Sequence, residues 1–221
     1  MGRETQTRPR IGIGVTTTPN RKEYVENWLY HFEKVKPTNY HLHIHEDLKY
    51  KGVAFSKNQN LKTLQECDFI FLFDDDCYPT QEGWADYFIN SKQHHLLFLN
   101  KTHNKILIKD DLEVFNDCGG VFIFLSKEVL NKVGYMNPNY GQYGFEHAGY
   151  SNRIYKAGLT FAPYQQLSRT KEFLYSMDYN IDHKSSIPEY KKQKLIDENR
   201  KVFIQELNSQ KIFYNFEEIT T

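Results

Sequence analysis

The chain has 221 residues, enough for one sizeable domain or two small ones. Its 28 Lys and Arg balance 28 Asp and Glu, so bulk charge gives no drive toward nucleic acid or an anionic membrane. The 16 Tyr and 16 Phe supply a core, no apolar run reaches the length of a membrane span, and Cys67, Cys77 and Cys118 form neither a paired framework nor a CxxC motif.

Met1 to Arg10 is polar and basic, a loose arm rather than an apolar export signal. With the odd cysteine count this predicts a cytoplasmic protein, or one of the host cytoplasm if phage-encoded. The abundance of Lys, Asn, Tyr, Phe and Ile beside little Ala matches an AT-rich genome, bacterial or viral.

Ile11–Val15 reads as a short strand, followed by Thr16-Thr17-Thr18-Pro19. Asn20 starts a predicted helix, with Glu23 as its capping-box partner and Tyr24, Trp28, Leu29 and Phe32 on one apolar face. His41–His45 alternates as a second strand and ends in Glu46-Asp47. Ser56 with Gln59 caps the next helix, which leads into the unbroken apolar run Phe69–Phe73. The order βαβαβ predicts a parallel sheet with right-handed crossovers.

In the second half, Thr80 begins a predicted helix carrying Trp84, Tyr87 and Phe88. Leu96–Asn100 and Lys105–Lys109 read as a hairpin around Thr102 to Asn104. Gly119-Gly120 precedes the apolar strand Val121–Leu125, and Ser126 starts a short helix. Tyr140–Tyr143 is a glycine-containing aromatic loop, followed by a helix from about Phe145 to Lys156 that stops at Gly158. Ser186 to Glu189 opens a last long helix, through about Gln205.

The run Phe69–Phe73 ends in Asp74, Asp75 and Asp76. Such carboxylates sit at the carboxyl end of a buried strand, where open α/β sheets bind ligands. Three adjacent acids repel unless something positive neutralises them. A Mg²⁺ or Mn²⁺ ion carrying a phosphorylated ligand suits their hard oxygens, whereas a solvated acidic turn rarely follows so apolar a strand.

These pieces together resemble a GT-A nucleotide-diphospho-sugar glycosyltransferase, similar to family-2-like enzymes. The resemblance rests on Thr16–Pro19, Glu46-Asp47, Ser56–Gln59, Asp74–Asp76, Gly119–Phe124 with Ser126–Leu130 and Gly134-Tyr135, and Gly144–Gly158, spanning roughly residues 11–160. It implies an α/β, Rossmann-like GT-A fold with a mixed, mostly parallel central sheet flanked by helices. After an arm at 1–10, residues 11–221 form a single domain: a nucleotide-sugar-binding half at 11–110 and an acceptor-facing half at 111–221. It implies a metal-dependent enzyme moving a sugar from a nucleotide-diphosphate donor, UDP-linked by expectation, to an acceptor hydroxyl with inversion.

The matching positions acquire roles from that resemblance. Thr16, Thr17, Thr18 and Pro19 hold the nucleobase, and Asp47 (or Glu46) accepts from a base N–H. Read without it, these are loop threonines and solvated strand-end acids. Lys57 and Asn58 lie near the nucleotide, as do Asp74 and Asp75. Asp76 is the direct ligand of Mn²⁺ or Mg²⁺, with Asp74 beside it. His183 is a further ligand with Asp182 in reserve, an imidazole suiting Mn²⁺ better. Gly119 and Gly120 let the backbone approach the donor sugar next to Asp117.

Glu146 matches the base of the family's Glu-Asp motif. The usual second acid is replaced by His147, so either residue is a candidate base. Arg153 would pair with an acid on the same helix. Tyr140, Tyr143 and Trp84 are stacking candidates that more often serve as core. His41, His43 and His45 share a strand face without a second metal-ligating cluster.

The expected acceptor is a surface glycan intermediate. The alternatives are a phage-type enzyme acting on hydroxylated bases in DNA, with Lys191, Lys192, Lys194, Arg3, Arg8 and Arg10 on phosphates, and a non-catalytic nucleotide-sugar-binding module. A nucleotidylyltransferase would need a glycine-rich basic loop after the first strand, which Thr16–Pro19 is not.

Overall fold

The apolar run Phe69–Phe73 is the central strand of the molecule. In the computed structural model, residues 9–99, 104–179 and 187–220 are described. The first half holds β1 (Ile11–Thr17), a 3-10 turn (Pro19–Arg21), α1 (Lys22–Val35), β2 (Tyr40–Glu46), α2 (Val53–Leu64) and β3 (Phe69–Asp74). Next come β4 (Cys77–Pro79), α3 (Trp84–Asn90), β5 (His95–Leu97), β6 (Lys105–Lys109), β7 (Leu112–Phe115) and β8 (Phe122–Ser126). The chain continues through α4 (Lys127–Val133), α5 (Glu146–Lys156), β9 (Gln165–Leu167), α6 (Thr170–Phe173) and β10 (Leu174–Ser176). A second 3-10 turn (Met177–Tyr179), α7 (Glu189–Asn208) and α8 (Glu217–Thr220) complete it.

The main sheet has the order β2-β1-β3-β8-β5. β1 pairs parallel with β2 and β3, whereas β8 is antiparallel to both β3 and β5, so β8 alone runs against the other four strands. This is the mixed, mostly parallel sheet expected. Alternate residues of β3 feed two different cores. Ile70 and Leu72 pack with α2, α4 and α5, and Phe71 and Phe73 pack with α1 and α3. Burial on both faces explains why the run is continuously apolar rather than alternating. Each such side chain contributes roughly 1.5–3 kcal/mol on burial. No helix among the described residues is long and apolar enough to cross a membrane.

Register places the site. Thr16 pairs with Asp74 across β1–β3, and Thr17 pairs with Glu46 across β1–β2, so these strand ends align. β4 and β10 form a separate two-stranded ribbon with Ser176 opposite Cys77. The Met177 N–H donates to the Asp76 carbonyl at 2.9 Å, which sets Asp178 beside the aspartate triplet.

Several local expectations shift. The hairpin expected from Leu96 to Lys109 does not form as such. β5 extends the ladder of β8, and β6 pairs with β7 across a turn in which Asp110 is left-handed, at φ 53°. Thr102 and His103 lie outside the described residues. α2 starts at Val53, not Ser56, because Gly52 at φ 112° turns the chain and the Ser56 hydroxyl bonds back to the Gly52 carbonyl at 2.9 Å. α3 starts at Trp84 rather than Thr80, because Cys77–Pro79 is drawn into the ribbon. Asn20 caps no helix; it lies in the 3-10 turn, and its amide reaches the Tyr50 hydroxyl at 3.3 Å. Arg153 pairs not along its own helix but with Glu206 of α7.

Candidate functional site

Two cavities open at the carboxyl ends of the parallel strands. The first, of about 620 Å³, is lined by Thr16–Thr18, Arg21, Asp47, Tyr50, the three aspartates and the start of α7. The second, of about 730 Å³, is lined by Asp117, Gly119, Gly120, Glu146, His147 and Tyr164 among others. Val53, Asp74, Tyr143, Asp178 and Lys192 line both, so the cavities meet there. Each has the size of a small-ligand site.

The aspartate triplet is neutralised in part by the protein itself. The Lys57 ammonium, fully buried, donates to Asp74 Oδ1 at 2.6 Å. Arg21 donates from Nε to both Asp75 oxygens, at 2.8 and 2.9 Å, and from Nη2 to Asp76 Oδ2 at 2.7 Å. Asp75 also accepts from the Thr17 hydroxyl at 2.6 Å, so its carboxylate is committed to the protein. Burial pushes the Asp75 carboxyl above its ordinary value, against the pull of Arg21 and Thr17. Burial, then the charges of Asp74 and Asp178, push Asp76 up to about 7. Among the described residues, Lys57 and Arg21 thus place cations directly on the triplet, and Lys191 and Lys192 line the same cavity.

Among the described residues, no group of three or more His, Cys, Asp or Glu side chains is arranged to hold a metal by itself. Asp74, Asp76 and Asp178 nevertheless offer only hard carboxylate oxygens. They fit a divalent ion that takes one or two carboxylates and fills its shell from phosphate and water, as Mg²⁺ does. His183 and Asp182 lie outside the described residues.

The remaining predicted residues divide. Thr16, Thr17, Thr18 and Asp47 line the first cavity. Asp47 is buried and accepts from the Gly52 N–H at 2.8 Å, which fixes its carboxylate. Pro19 lies in the adjoining 3-10 turn but not on the cavity wall. Asn58 is turned away, bonding both ways to the Met136 backbone at 2.8 and 3.0 Å. Lys57 reaches the site only through Asp74. Trp84 and Tyr140 are core, with the Tyr140 hydroxyl on Glu206 at 2.5 Å, whereas Tyr143 lines both cavities. His43 bonds Asn60 at 2.7 Å.

Glu146 opens α5 after Phe145, whose φ of 68° is uncommon for a bulky residue. Phe145 is held there by stacking on Phe203 of α7, ring centroids 5.1 Å apart. His147 Nδ1 lies 3.1 Å from Glu146 Oε1. Their other polar atoms, Glu146 Oε2 and His147 Nε2, are buried with no hydrogen-bond partner among the described residues. Buried polar atoms are nearly always satisfied, so this pair beside a cavity has bonding capacity that a water, an ion or a ligand group can take up. Gly120 packs against the His147 ring so closely that a Cβ there would overlap it.

Sequence reasoning missed Arg21, Asp178 and Tyr50. Arg21 lies two residues after the predicted nucleobase loop, but its contact with Asp75, 54 residues on, shows in no local pattern. Asp178 reaches the site only through β4–β10 pairing, which no local pattern announces.

No family model matches the sequence, and no curated protein does. Solved structures do match. The chain is similar to the catalytic domain of Drosophila β1,4-galactosyltransferase 7, solved with xylobiose, at a TM-score of 0.55 and 14% identity over 84% of this chain and 79% of that one. It is also similar to S. aureus TarS 1–349, solved with UDP-GlcNAc, at a TM-score of 0.53 and 14% identity over 91% of this chain and 67% of that one. The strand order, the paired cavities and these similarities agree: the chain has the GT-A fold of nucleotide-sugar glycosyltransferases.

Proposed function

We propose that this chain is a glycosyltransferase that moves a sugar from a nucleotide-diphosphate donor to an acceptor hydroxyl. The observation that carries this reading is the meeting of the two cavities at Asp74 and Asp178, one bearing the aspartate triplet and the other the orphaned Glu146–His147 pair. A donor in the first cavity and an acceptor in the second then meet at that junction.

The nucleotide, UDP in our reading, lies against Thr16–Thr18 with its base N–H on Asp47. Asp74 and Asp76, with Asp178, would hold a Mn²⁺ or Mg²⁺ ion, which would supply charge to offset that of the departing diphosphate. The start of α7 brings Lys191 and Lys192 to the first cavity, so we assign them to donor phosphates rather than to DNA.

His147 and Glu146 take the acceptor's proton as a unit. The carboxylate at Nδ1 makes that nitrogen the donor and leaves Nε2 with its lone pair. Nε2 removes the proton as the hydroxyl oxygen attacks the anomeric carbon, whose bond to the diphosphate breaks. We favour inversion by single displacement, with the Glu146–His147 pair in the second cavity serving as base rather than as nucleophile. The acceptor is a glycan intermediate in this reading.

The test is a thermal-shift screen of nucleoside diphosphates and their sugars, with and without Mn²⁺. A donor at about a hundred times its Kd stabilises the folded state by roughly 2.7 kcal/mol. The expected result is a metal-dependent shift with one base, lost in Asp76→Ala. The absence of any shift across the panel would overturn the reading.

A further inference from the structure

The Arg21 guanidinium occupies the position where a cation would meet the aspartate triplet. It is held by a short turn immediately after β1, with its own N–H on the Thr18 carbonyl at 3.0 Å. Its fork spans two carboxylates of unlike standing. On Asp75 it makes contacts of 2.6, 2.8 and 2.9 Å, and Asp75 has Thr17 as a second donor. On Asp76 it makes one contact, from Nη2 at 2.7 Å. The guanidinium also lies 3.9 Å from the centre of the Tyr24 ring and lines the first cavity.

We propose that Arg21 is a resident counter-cation that competes with the divalent ion for Asp76 and gives that carboxylate up when a nucleoside diphosphate enters the first cavity. The proposal rests on the glycosyltransferase reading.

Two positive groups cannot both sit at contact distance from one carboxylate without repelling each other. Metal binding at Asp76 therefore carries the cost of displacing Nη2. The multiple contacts to Asp75 provide a pivot, so the side chain can leave Asp76 without leaving the site. A diphosphate supplies what the displaced fork needs, since guanidinium matches phosphate oxygens in geometry and charge. Nucleotide and metal thereby favour each other's binding through Arg21, in addition to any direct contact between them. Such coupling is reciprocal. The protein is kept from loading metal before donor, and the triplet remains neutralised in the resting state.

The experiment is a Mn²⁺ titration of the full chain followed by the EPR signal of the free ion, with and without saturating UDP. Arg21→Gln removes the cation while keeping a polar side chain. Without nucleotide, Arg21→Gln is expected to bind Mn²⁺ about tenfold more tightly than wild type, equivalent to about 1.4 kcal/mol. The factor by which UDP tightens Mn²⁺ binding should shrink in the variant. Arg21→Lys, which keeps the charge but loses the fork, should fall between the two and serves if Arg21→Gln does not fold. If the variant binds Mn²⁺ no more tightly than wild type in the absence of UDP, the competition does not exist. That result, with metal-dependent UDP binding intact, removes the role of Arg21 alone. If wild type and variant bind neither Mn²⁺ nor UDP, the glycosyltransferase reading falls with it.

Discussion

His147 Nδ1 lies 3.1 Å from Glu146 Oε1, and the two outer atoms of the pair are buried without hydrogen-bond partners among the described residues. Residues that act as one unit lose function non-additively. His147→Gln and Glu146→Gln should each lower kcat by roughly 10²–10⁴, the range of general-base contributions, with donor affinity unchanged. The double variant should be no worse than the weaker single one. Losses that multiply in the double variant would show that the residues act independently.

Gly120→Ala tests the same pair from the other side. The added methyl overlaps the His147 ring, so the ring must rotate away from Glu146. We expect kcat to fall about as far as in His147→Gln, while UDP binding to the first cavity is retained. Isothermal titration with UDP and Mn²⁺ separates the two effects. Equal loss of both would mean that Gly120 supports the donor cavity instead.

Arg153 is buried against Glu206 and also donates to the carbonyls of Val133, Tyr135 and Ile212. Arg153→Met leaves a buried carboxylate and those carbonyls unmatched. The expected cost is roughly 3–5 kcal/mol, read as a lowered urea midpoint. Glu206→Gln keeps an acceptor for Arg153 and turns an N–H donor toward the Tyr140 hydroxyl, which can accept it, and should cost less.

His95 sets an acid limit. It is fully enclosed, with Nε2 on the Ser151 hydroxyl at 2.8 Å and Nδ1 near the Phe124 carbonyl at 3.2 Å. Burial, reinforced by the nearby His147, pushes it from 6.5 down to about 4. Between those values the unfolded chain binds the proton more readily than the folded one. The stability His95 contributes is therefore complete above about pH 6.5 and lost as pH falls toward 4, by roughly 3 kcal/mol. Urea unfolding of wild type and His95→Gln across that range should show the steeper decline in wild type.

The sheet was legible where burial wrote it into composition. Phe69–Phe73 and Phe122–Leu125 are apolar on every residue because both faces are covered, and β1 and β2 follow from their spacing to β3. Helix starts were less legible, because backbone turns at Gly52 and Gly83 set them rather than side-chain caps. The aspartate triplet and the Glu146–His147 pair stood out as charge at the edge of apolar runs. Arg21, Asp178 and the turning of Asn58 toward Met136 depend on contacts between residues far apart in the chain, which local patterns do not encode.

Helix α7 is fastened along its second half and lines the cavities with its start. Glu206 locks its last turns to Arg153 and Tyr140, while Lys191 and Lys192 in its first turn face the cavities. It is a cantilever beyond Asn199, whose side chain ties mid-helix to the Gly141 N–H and the Tyr143 and Gly144 carbonyls: this anchorage sets where the tip hangs over the first cavity, about fifteen residues before Glu206. Substitutions at the anchorage, remote from the first cavity, should therefore retune donor affinity by tilting the beam, and insertions that lengthen it should carry the lysines past the cavity they line.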